Sequence, residues 1–310
     1  VGRAGAPPQP PRQARRICPA GRIDRPQPDP EWRGDPPRRR HPHGAALMSG
    51  SGSGVILTIA DGIARITLDR PAVGNAIDLP LARALLDAAI RCEGDAAVRC
   101  VVLTGSGKLF CAGGDVALMG GAGAQLPTVL TELIATFHAA VTRLARMAKP
   151  LVTLVNGPAA GAGFSLAILG DVVLSARSAH YTAAYGAIGL TADGGLSWLL
   201  PRLVGLRRAQ EIILTNRRIK SEEAEAIGLV TRLVDDDALE AEGLALATRL
   251  ADAPTAAYGA ARTLLHDSFD TGFEAQLDRE LRSMAVAGAG EAQVGLTALL
   301  AKRPPHFRGA

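Results

Sequence analysis

Two glycine-rich segments of the chain could together hold an oxygen atom that gains negative charge during a reaction. They read FCAGGDV (110–116) and NGPAAGAGF (156–164), and they follow the apolar runs RCVVLTG (99–105) and LVTLV (151–155), which are typical of buried strands. Glycine lets the main chain approach a ligand closely, and an N–H group at a turn or at the start of a helix has no internal partner. The two segments therefore predict a pair of main-chain donors that bind one oxygen.

The same glycines also allow simpler interpretations than a pair of oxygen-binding donors. Gly-Ala clusters after strands often form only tight turns that allow close helix packing. A phosphate-binding loop is disfavoured because neither segment contains G-x-G-x-x-G, and because GSGK (105–108) lacks the upstream glycine and the following Ser or Thr of a P-loop. The four cysteines lack the spacing of metal ligands, so the sequence predicts no metal site.

Six segments carry a resemblance to a known family. They are RPAVGNAID (70–78), FCAGGDV (110–116), NGPAAGAGFSLA (156–167), GDVVLSARSAHY (170–181), IGLTADGGLSWLLPRLVG (188–205) and EAEAIGLVTRLV (223–234). In this order they resemble the crotonase superfamily, also called the enoyl-CoA hydratase/isomerase family, over about residues 55–307. The resemblance implies an α/β fold, a crotonase-like spiral of repeated ββα units, with a C-terminal helical appendage that supports a homotrimer or a dimer of trimers.

The resemblance also implies which residues bind an acyl-CoA substrate. The main-chain N–H groups of Gly114 and Ala162 would bind the thioester carbonyl oxygen, and Gly161 would keep the main chain accessible. The CoA part would contact the main chain around Ala72, Ala112 and Gly113. Lys302, near the C-terminus, could pair with a CoA phosphate or simply be solvated. Asp115 is interpreted as a helix cap, because a carboxylate directly after a turn commonly accepts N–H groups of the next helix.

The chain departs from the hydratases of this family at two positions. Where the resemblance places their two glutamates, this sequence has Ser165 and Tyr185. Adding water across a double bond needs a base that activates the water and an acid that delivers a proton, and a pair of carboxylates serves both tasks. Hydration by two glutamates is therefore not predicted, and both residues are kept as supporting candidates only.

One carboxylate remains as a candidate base, namely Asp193 in GLTADGG (189–195). Isomerase-type members of the family, including those of the phenylacetate pathway, carry their proton-transferring Asp in a similar segment. The alternative is a plain turn residue, since Asp-Gly-Gly is a strong turn signal. We expect Ile188, Leu190 and Trp198 to give Asp193 an apolar setting that raises its pKa. His138, alone on a predicted helix, is a weaker candidate.

These residues predict a Δ3-Δ2 enoyl-CoA isomerase in which Asp193 removes an α-proton and returns a proton at the γ-carbon. Coenzyme A enters as part of the substrate, and no metal or redox cofactor is expected. Three alternatives remain open: a hydratase in which Asp193 alone activates water, a thioester hydrolase that uses the same donors, and an acyl-CoA-binding homologue without catalysis.

Charge and composition divide the chain near Met48. Residues 1–47 contain ten Arg, four acidic residues and eleven of the twenty Pro, which predicts a disordered extension or translated upstream sequence. GSGSG (50–54) predicts that residues 48–54 form a flexible lead-in. Residues 55–237 are then expected to form the acyl-CoA-binding core, and residues 238–310 the helical trimerisation region. Without RNA-recognition signatures, an apolar span or a secretory signal, we expect a cytoplasmic enzyme that binds neither nucleic acid nor membrane.

Local patterns predict the elements that position these residues. VILTIA (55–60) and IARITL (63–68) flank Asp61-Gly62, a type I′ hairpin signal. Asp78 is expected to cap a helix that runs to about Glu93 and carries Leu81, Leu85, Ala88 and Ile90 roughly on one face. A longer helix is expected over about 126–148, before Pro150.

Overall fold

The computed structural model of the chain describes residues 46–49 and 53–308, and its elements follow the apolar runs of the sequence. The strands are β1 (Ala46–Ser49), β2 (Val55–Ala60), β3 (Ile63–Leu68), β4 (Cys100–Gly105), β5 (Leu151–Val155), β6 (Ala159–Ala160), β7 (Val172–Ala176), β8 (His180–Thr182), β9 (Ile219–Lys220) and β10 (Arg232–Val234). The helices are α1 (Leu79–Gly94), α2 (Val116–Gly121), α3 (Leu126–Arg146), α4 (Ala162–Ala167), α5 (Leu196–Val204), α6 (Leu206–Thr215), α7 (Ser221–Ala226), α8 (Leu239–Ala251), α9 (Thr255–Asp267), α10 (Phe273–Ala289) and α11 (Ala292–Leu300). The α/β class predicted from the sequence is confirmed.

The main sheet has the strand order β1-β2-β3-β4-β5-β7-β10. The first three strands run antiparallel, while β3, β4, β5, β7 and β10 are parallel neighbours. A smaller sheet contains β6, β8 and β9. Parallel strands are covered on both faces, which explains why β4 and β5 are continuous apolar runs that are almost wholly buried.

The hairpin between β2 and β3 turns at the two residues that the sequence marks. Asp61 and Gly62 have φ angles of 50° and 79°, as a type I′ turn requires. The two strands pair without a bulge, from Val55 opposite Leu68 to Ala60 opposite Ile63. The hairpin prediction is confirmed.

Helix α1 begins as predicted but buries a different last residue. The Asp78 carboxylate accepts the N–H of Leu81 at 2.9 Å, which caps the helix. Ile90 is 47% exposed, so its predicted place on the same face as the buried Leu81, Leu85 and Ala88 is wrong. Cys92 lies on the inner face instead, because it is four residues after the buried Ala88 and therefore on the same side of the helix. Ile90 is only two residues after Ala88, so its side chain points to the opposite side.

The N-terminal boundary differs from the predicted one. Ala46–Ser49 pairs antiparallel with β2, so the flexible lead-in over 48–54 is wrong for residues 48 and 49, as is the predicted disorder at 46 and 47. The main-chain N–H and C=O groups of this segment pair with those of β2, which would otherwise be unpaired at the edge of the sheet. The remainder of the predicted extension, residues 1–45, and residues 50–52 lie outside the described residues.

Four helices, α8 to α11, fill the C-terminal region, where the sequence predicts helices. Helix α8 packs on β3, β4, β5 and β7, so it belongs to the layer that covers the sheet. Helix α9 is tied to the core by Arg262, whose guanidinium pairs with Asp171 at 2.7 Å and donates to main-chain oxygens of residues 144, 147 and 149. In the part of the chain that the structure describes, no helix has the length and apolar composition to cross a membrane.

Candidate active site

The two glycine-rich segments meet directly after β4 and β5. One hydrogen bond that joins them runs from the Ala160 N–H of the second segment to the Cys111 oxygen of the first, at 2.9 Å. The first segment is also bound to Ile77, whose N–H donates to the Gly113 oxygen at 2.7 Å. Gly113 has a φ of 98°, and a Cβ atom there would lie 2.7 Å from the Ala160 oxygen. Both the left-handed conformation and the space therefore require glycine at 113. The same Cβ position is 3.4 Å from the nitrogen of Ala162, so the segments come together at the predicted donors.

The predicted donor residues Gly114 and Ala162 line one cavity. Within residues 46–49 and 53–308, neither of their N–H groups donates a hydrogen bond to the main chain. Ala162 is the first residue of α4, where a helix leaves its N–H groups without internal partners. Gly161 precedes it with a φ of 52°. Two neighbouring N–H groups without main-chain partners can stabilise a carbonyl oxygen that acquires negative charge.

Asp193 lines the same cavity and lies in the loop before α5. The next residue, Gly194, has a φ of 60°, and a Cβ atom there would lie 2.8 Å from side-chain atoms of both Phe137 and Ser165. The loop is therefore pressed against α3 and α4. Its main chain is fixed further by His138, whose Nε2 accepts the N–H of Gly194 at 3.0 Å.

Two hydroxyl groups hold Asp193 from within the protein. The Tyr185 hydroxyl donates to Oδ1 of Asp193 at 2.7 Å, and the Ser165 hydroxyl donates to its main-chain oxygen at 2.9 Å. The two hydroxyl oxygens are 3.3 Å apart. Both supporting candidates of the sequence analysis therefore contact the candidate base, although they are 20 residues apart in the chain.

The surroundings of Asp193 shift its pKa. Burial raises the pKa above its ordinary value, while the hydrogen bond from Tyr185 and the ring of His138 lower it in part. Burial and the neighbouring charge of Asp193 raise the pKa of Tyr185. Asp193 is therefore a stronger base than an exposed aspartate, and Tyr185 keeps its proton at neutral pH.

The cavity has a volume of about 410 Å³ and is mostly apolar, as is typical of small-molecule sites. Ile77 contributes from the segment before α1, and the other large apolar side chains come from α2, α3 and the loop before α5: Val116, Met119, Leu130, Leu133, Ile134, Phe137, Ile188 and Leu190. The expected contributions of Ile188 and Leu190 are thus confirmed. Trp198 does not line this cavity, so that prediction is wrong.

Trp198 lies on a different side of the Gly194–Gly195 turn. Its ring stacks on His266 with a centroid distance of 6.0 Å, and the Arg202 guanidinium lies 4.0 Å above it. The inner face of α5 is formed by Leu196 and Leu200. Because Trp198 is two residues from each of them, its side chain points to a different side of the helix.

The residues predicted for CoA binding divide into two groups. Ala112, Gly113, Gly114 and Gly161 line the cavity. Ala72 does not, but its short turn adjoins the site, since the Ala112 N–H donates to the Gly74 oxygen at 2.9 Å.

Lys302 is not brought to the cavity of its own chain. It follows α11, in a segment that folds back so that Arg99 Nη1 donates to the Phe307 oxygen at 3.1 Å. Arg99 precedes β4, whereas the candidate donors follow β4 and β5, so the two features lie at opposite ends of the strand. The predicted phosphate contact of Lys302 therefore has no support within this chain.

The interpretation of Asp115 as a helix cap is confirmed. Its carboxylate accepts the Leu118 N–H at 3.1 Å and lies 3.5 Å from the Arg70 guanidinium. Sequence reasoning did not identify Asn75, whose amide donates to the oxygens of Ser106, Leu109 and Phe110 and so shapes the first donor segment. The signal was its place in RPAVGNAID (70–78), within the family resemblance.

Comparisons with known proteins agree with this geometry. The family model "Enoyl-CoA hydratase/isomerase" matches residues 58–310. A probable enoyl-CoA hydratase of Rhodobacter capsulatus is 40% identical over 252 residues, which are 81% of this chain and 96% of that protein. The 1,2-epoxyphenylacetyl-CoA isomerase of Escherichia coli is 34% identical over 82% of this chain and 98% of its own length.

A solved structure shows that the fold is shared as well. The crystal structure of an enoyl-CoA hydratase from Polaromonas matches with a TM-score of 0.79 and 29% identity, over 82% of this chain and 99% of that one. The resemblance seen in the sequence is thereby confirmed, together with its crotonase-like α/β fold. On these matches and on the paired donor segments, the chain belongs to the enoyl-CoA hydratase/isomerase family.

Proposed function

We propose that this protein is an enoyl-CoA isomerase that moves the double bond of an acyl-CoA thioester from Δ3 to Δ2. The observation that carries the proposal is the single carboxylate, Asp193, in a cavity that also contains Gly114 and Ala162. A double-bond shift needs one group that removes a proton and then returns it, and one carboxylate can do both. The match to an isomerase from Escherichia coli supports the same reaction class.

The N–H groups of Gly114 and Ala162 would bind the thioester oxygen. Asp193 then takes a proton from the α-carbon, the C–H electron pair forms a dienolate, and negative charge moves onto the thioester oxygen. The O–H bond of Asp193 next breaks and its proton goes to the γ-carbon, which leaves the double bond at Δ2 and the carboxylate regenerated. Each preorganised donor typically contributes about 10²- to 10³-fold to the rate.

The cavity supports a hydrocarbon acyl group rather than a polar one. Apart from Tyr185, Thr191 and Asp193, the side chains that line it are apolar. The CoA part would lie along the main chain of Ala112 and Gly113, where side-chain identity matters little. Proton transfer within one substrate requires no further cofactor, so coenzyme A is the only cofactor-derived group in the proposal.

A homotrimer, or a dimer of trimers, is the proposed assembly. Helix α10 carries a stripe of large apolar side chains at helical spacing, Phe273, Leu277, Leu281 and Met284, all exposed in a single chain. Contiguous apolar surface of this kind marks a protein interface. The stripe lies in the region 238–310 that the sequence resemblance links to trimer formation.

Hydration is the second candidate, because the relative from Rhodobacter capsulatus is described as a probable hydratase. The two reactions are distinguished by product mass when the purified protein is given cis-3-enoyl-CoA and trans-2-enoyl-CoA. The proposal predicts that the Δ3 substrate gains the absorbance of a conjugated thioester without a change in mass. A product heavier by one water from either substrate would establish a hydratase, free CoA a hydrolase, and binding without turnover a non-catalytic homologue.

A further inference from the structure

We infer that Tyr185 is a positioning residue that anchors one oxygen of Asp193 and leaves the other oxygen as the only proton carrier of the site. The inference rests on the proposed function and explains why the site shifts a double bond instead of adding water. It assigns to Tyr185 a role in reaction specificity that acts through Asp193 rather than on the substrate.

The two oxygens of the Asp193 carboxylate have different surroundings. Tyr185 donates to Oδ1 of Asp193 at 2.7 Å, within the range of a strong hydrogen bond to a charged group. Oδ2 makes no hydrogen bond to another residue in the described structure, and Asp193 lines the cavity. One oxygen is therefore held by the protein, while the other is left for the substrate.

The hydroxyl protons of Tyr185 and Ser165 are both engaged by Asp193. A tyrosine or serine hydroxyl has one proton to donate. The proton of Tyr185 is directed to Oδ1 of Asp193, and that of Ser165 is directed to the main-chain oxygen of the same residue. Among residues 46–49 and 53–308, the hydrogen bonds of these two hydroxyls go only to each other and to Asp193, although they stand where the resemblance places the two glutamates of the hydratases.

The residues that anchor Asp193 are themselves buried and held in place. Tyr185 is only 8% exposed and Ser165 only 2%. The loop that carries Asp193 is bound to α3 through the hydrogen bond from Gly194 to His138. Among the described residues, Tyr185 and His138 are the titratable groups that face Asp193 from the neighbouring elements. Removal of the Tyr185 hydroxyl should therefore change the proton affinity of Asp193 without releasing the loop.

Tyr185→Phe tests this inference through the pKa of Asp193. The hydrogen bond from Tyr185 favours the charged carboxylate, so its loss should move the acidic limb of kcat/KM upward by about one pH unit. We expect kcat on the high-pH plateau to stay within about tenfold of the wild-type value, with KM unchanged. Incorporation of 3-fluorotyrosine at position 185 keeps the shape but strengthens the donor, so the limb should move to lower pH.

The matched control is Tyr181→Phe. Tyr181 is also a buried tyrosine, and its hydroxyl donates to the Ser175 hydroxyl at 2.7 Å, away from Asp193. This variant loses a buried tyrosine hydrogen bond of the same kind, so its pH profile should match that of the wild type. A shift of equal size in both variants would show a general effect of destabilisation and would overturn the inference.

The pKa of Asp193 can also be measured without turnover, by infrared titration of its carboxylate band. That band is identified by subtracting the spectrum of the same protein with the additional change Asp193→Asn. If the wild type does not isomerise any Δ3 ester, the proposed function fails, while the infrared titration still decides the role of Tyr185. An unshifted pKa of Asp193 in both Tyr185 variants would overturn the inference. So would a folded Tyr185→Phe protein that is inactive at every pH, because Tyr185 would then transfer the proton itself.

Discussion

Replacing Asp193 by Asn separates the chemical role of this residue from its structural one. Asn has the shape of Asp, and its amide oxygen can still accept the Tyr185 hydroxyl that binds Oδ1 at 2.7 Å. The hydrogen bond from Ser165 goes to the main chain of residue 193 and is unaffected. The substitution therefore removes only the ability to accept a proton. We expect isomerisation of a Δ3-enoyl-CoA to fall by about 10²- to 10⁴-fold or more, the usual contribution of a positioned general base.

The Asp193→Asn protein should lose activity without losing stability at neutral pH. Burial raises the pKa of Asp193 above its value in the unfolded chain, so the folded protein binds the proton more tightly. The stability that this difference contributes is fully present below the unfolded pKa of about 3.9 and is lost as pH rises through the folded pKa. Each unit of elevation corresponds to about 1.4 kcal/mol. At neutral pH the Asn variant should thus have a melting temperature at least equal to that of the wild type.

The assay follows the conjugated absorbance of the Δ2 thioester, with CoA-ester affinity measured separately by calorimetry and expected to be nearly unchanged. Asp115→Asn is the matched control, because Asn caps helices as well as Asp does and Asp115 lies within the first donor segment, next to Gly114, without lining the cavity. It should keep near-wild-type activity. If Asp193→Asn retains activity within tenfold, Asp193 is only a turn residue and the proposed mechanism is refuted.

Three further predictions concern the donors, the core and the assembly. Ala162→Pro removes one donor N–H at the first position of α4, where proline fits a helix, so turnover should fall by about 10²- to 10³-fold while circular dichroism stays native; full turnover would refute the assignment. Arg262→Met removes a buried guanidinium that donates to the main-chain oxygens of residues 144, 147 and 149, so the free energy of unfolding in urea titrations should fall by about 3 kcal/mol or more. A change below about 1 kcal/mol would contradict this. Leu281→Glu places a charge in the exposed apolar stripe of α10 and should reduce the mass measured by light scattering from that of a trimer or hexamer to that of a monomer; an unchanged mass would exclude this stripe as the interface.

Local signals in the sequence predicted the elements that carry the site. The Asp78 cap, the Asp61-Gly62 turn and the buried run of β4 each depend on interactions between residues close in the chain, and all three are found in the structure. The resemblance added which distant segments meet. Gly114, Ala162 and Asp193 indeed share one cavity, while their chemical roles stay predictions.

Side-chain direction and long-range pairing could not be predicted in the same way. Trp198 was expected to contribute to the apolar setting of Asp193, but the helix directs it toward His266. Tyr185, which donates to Asp193, directly follows Ala184, whose φ of 64° no sequence pattern predicts for alanine. The pairing of Ala46–Ser49 with β2 depends on a free strand edge, which exists only once the sheet has formed.

A crystal structure of the Asp193→Asn protein with a Δ3-enoyl-CoA bound tests the central claim most directly. The account predicts that the thioester oxygen lies about 2.7–3.1 Å from the nitrogens of both Gly114 and Ala162. It also predicts that the side chain of residue 193 faces the α- and γ-carbons from one side, with its anchored oxygen still bound to Tyr185. A thioester oxygen bound elsewhere, or an acyl chain whose α-carbon is out of reach of residue 193, would contradict it.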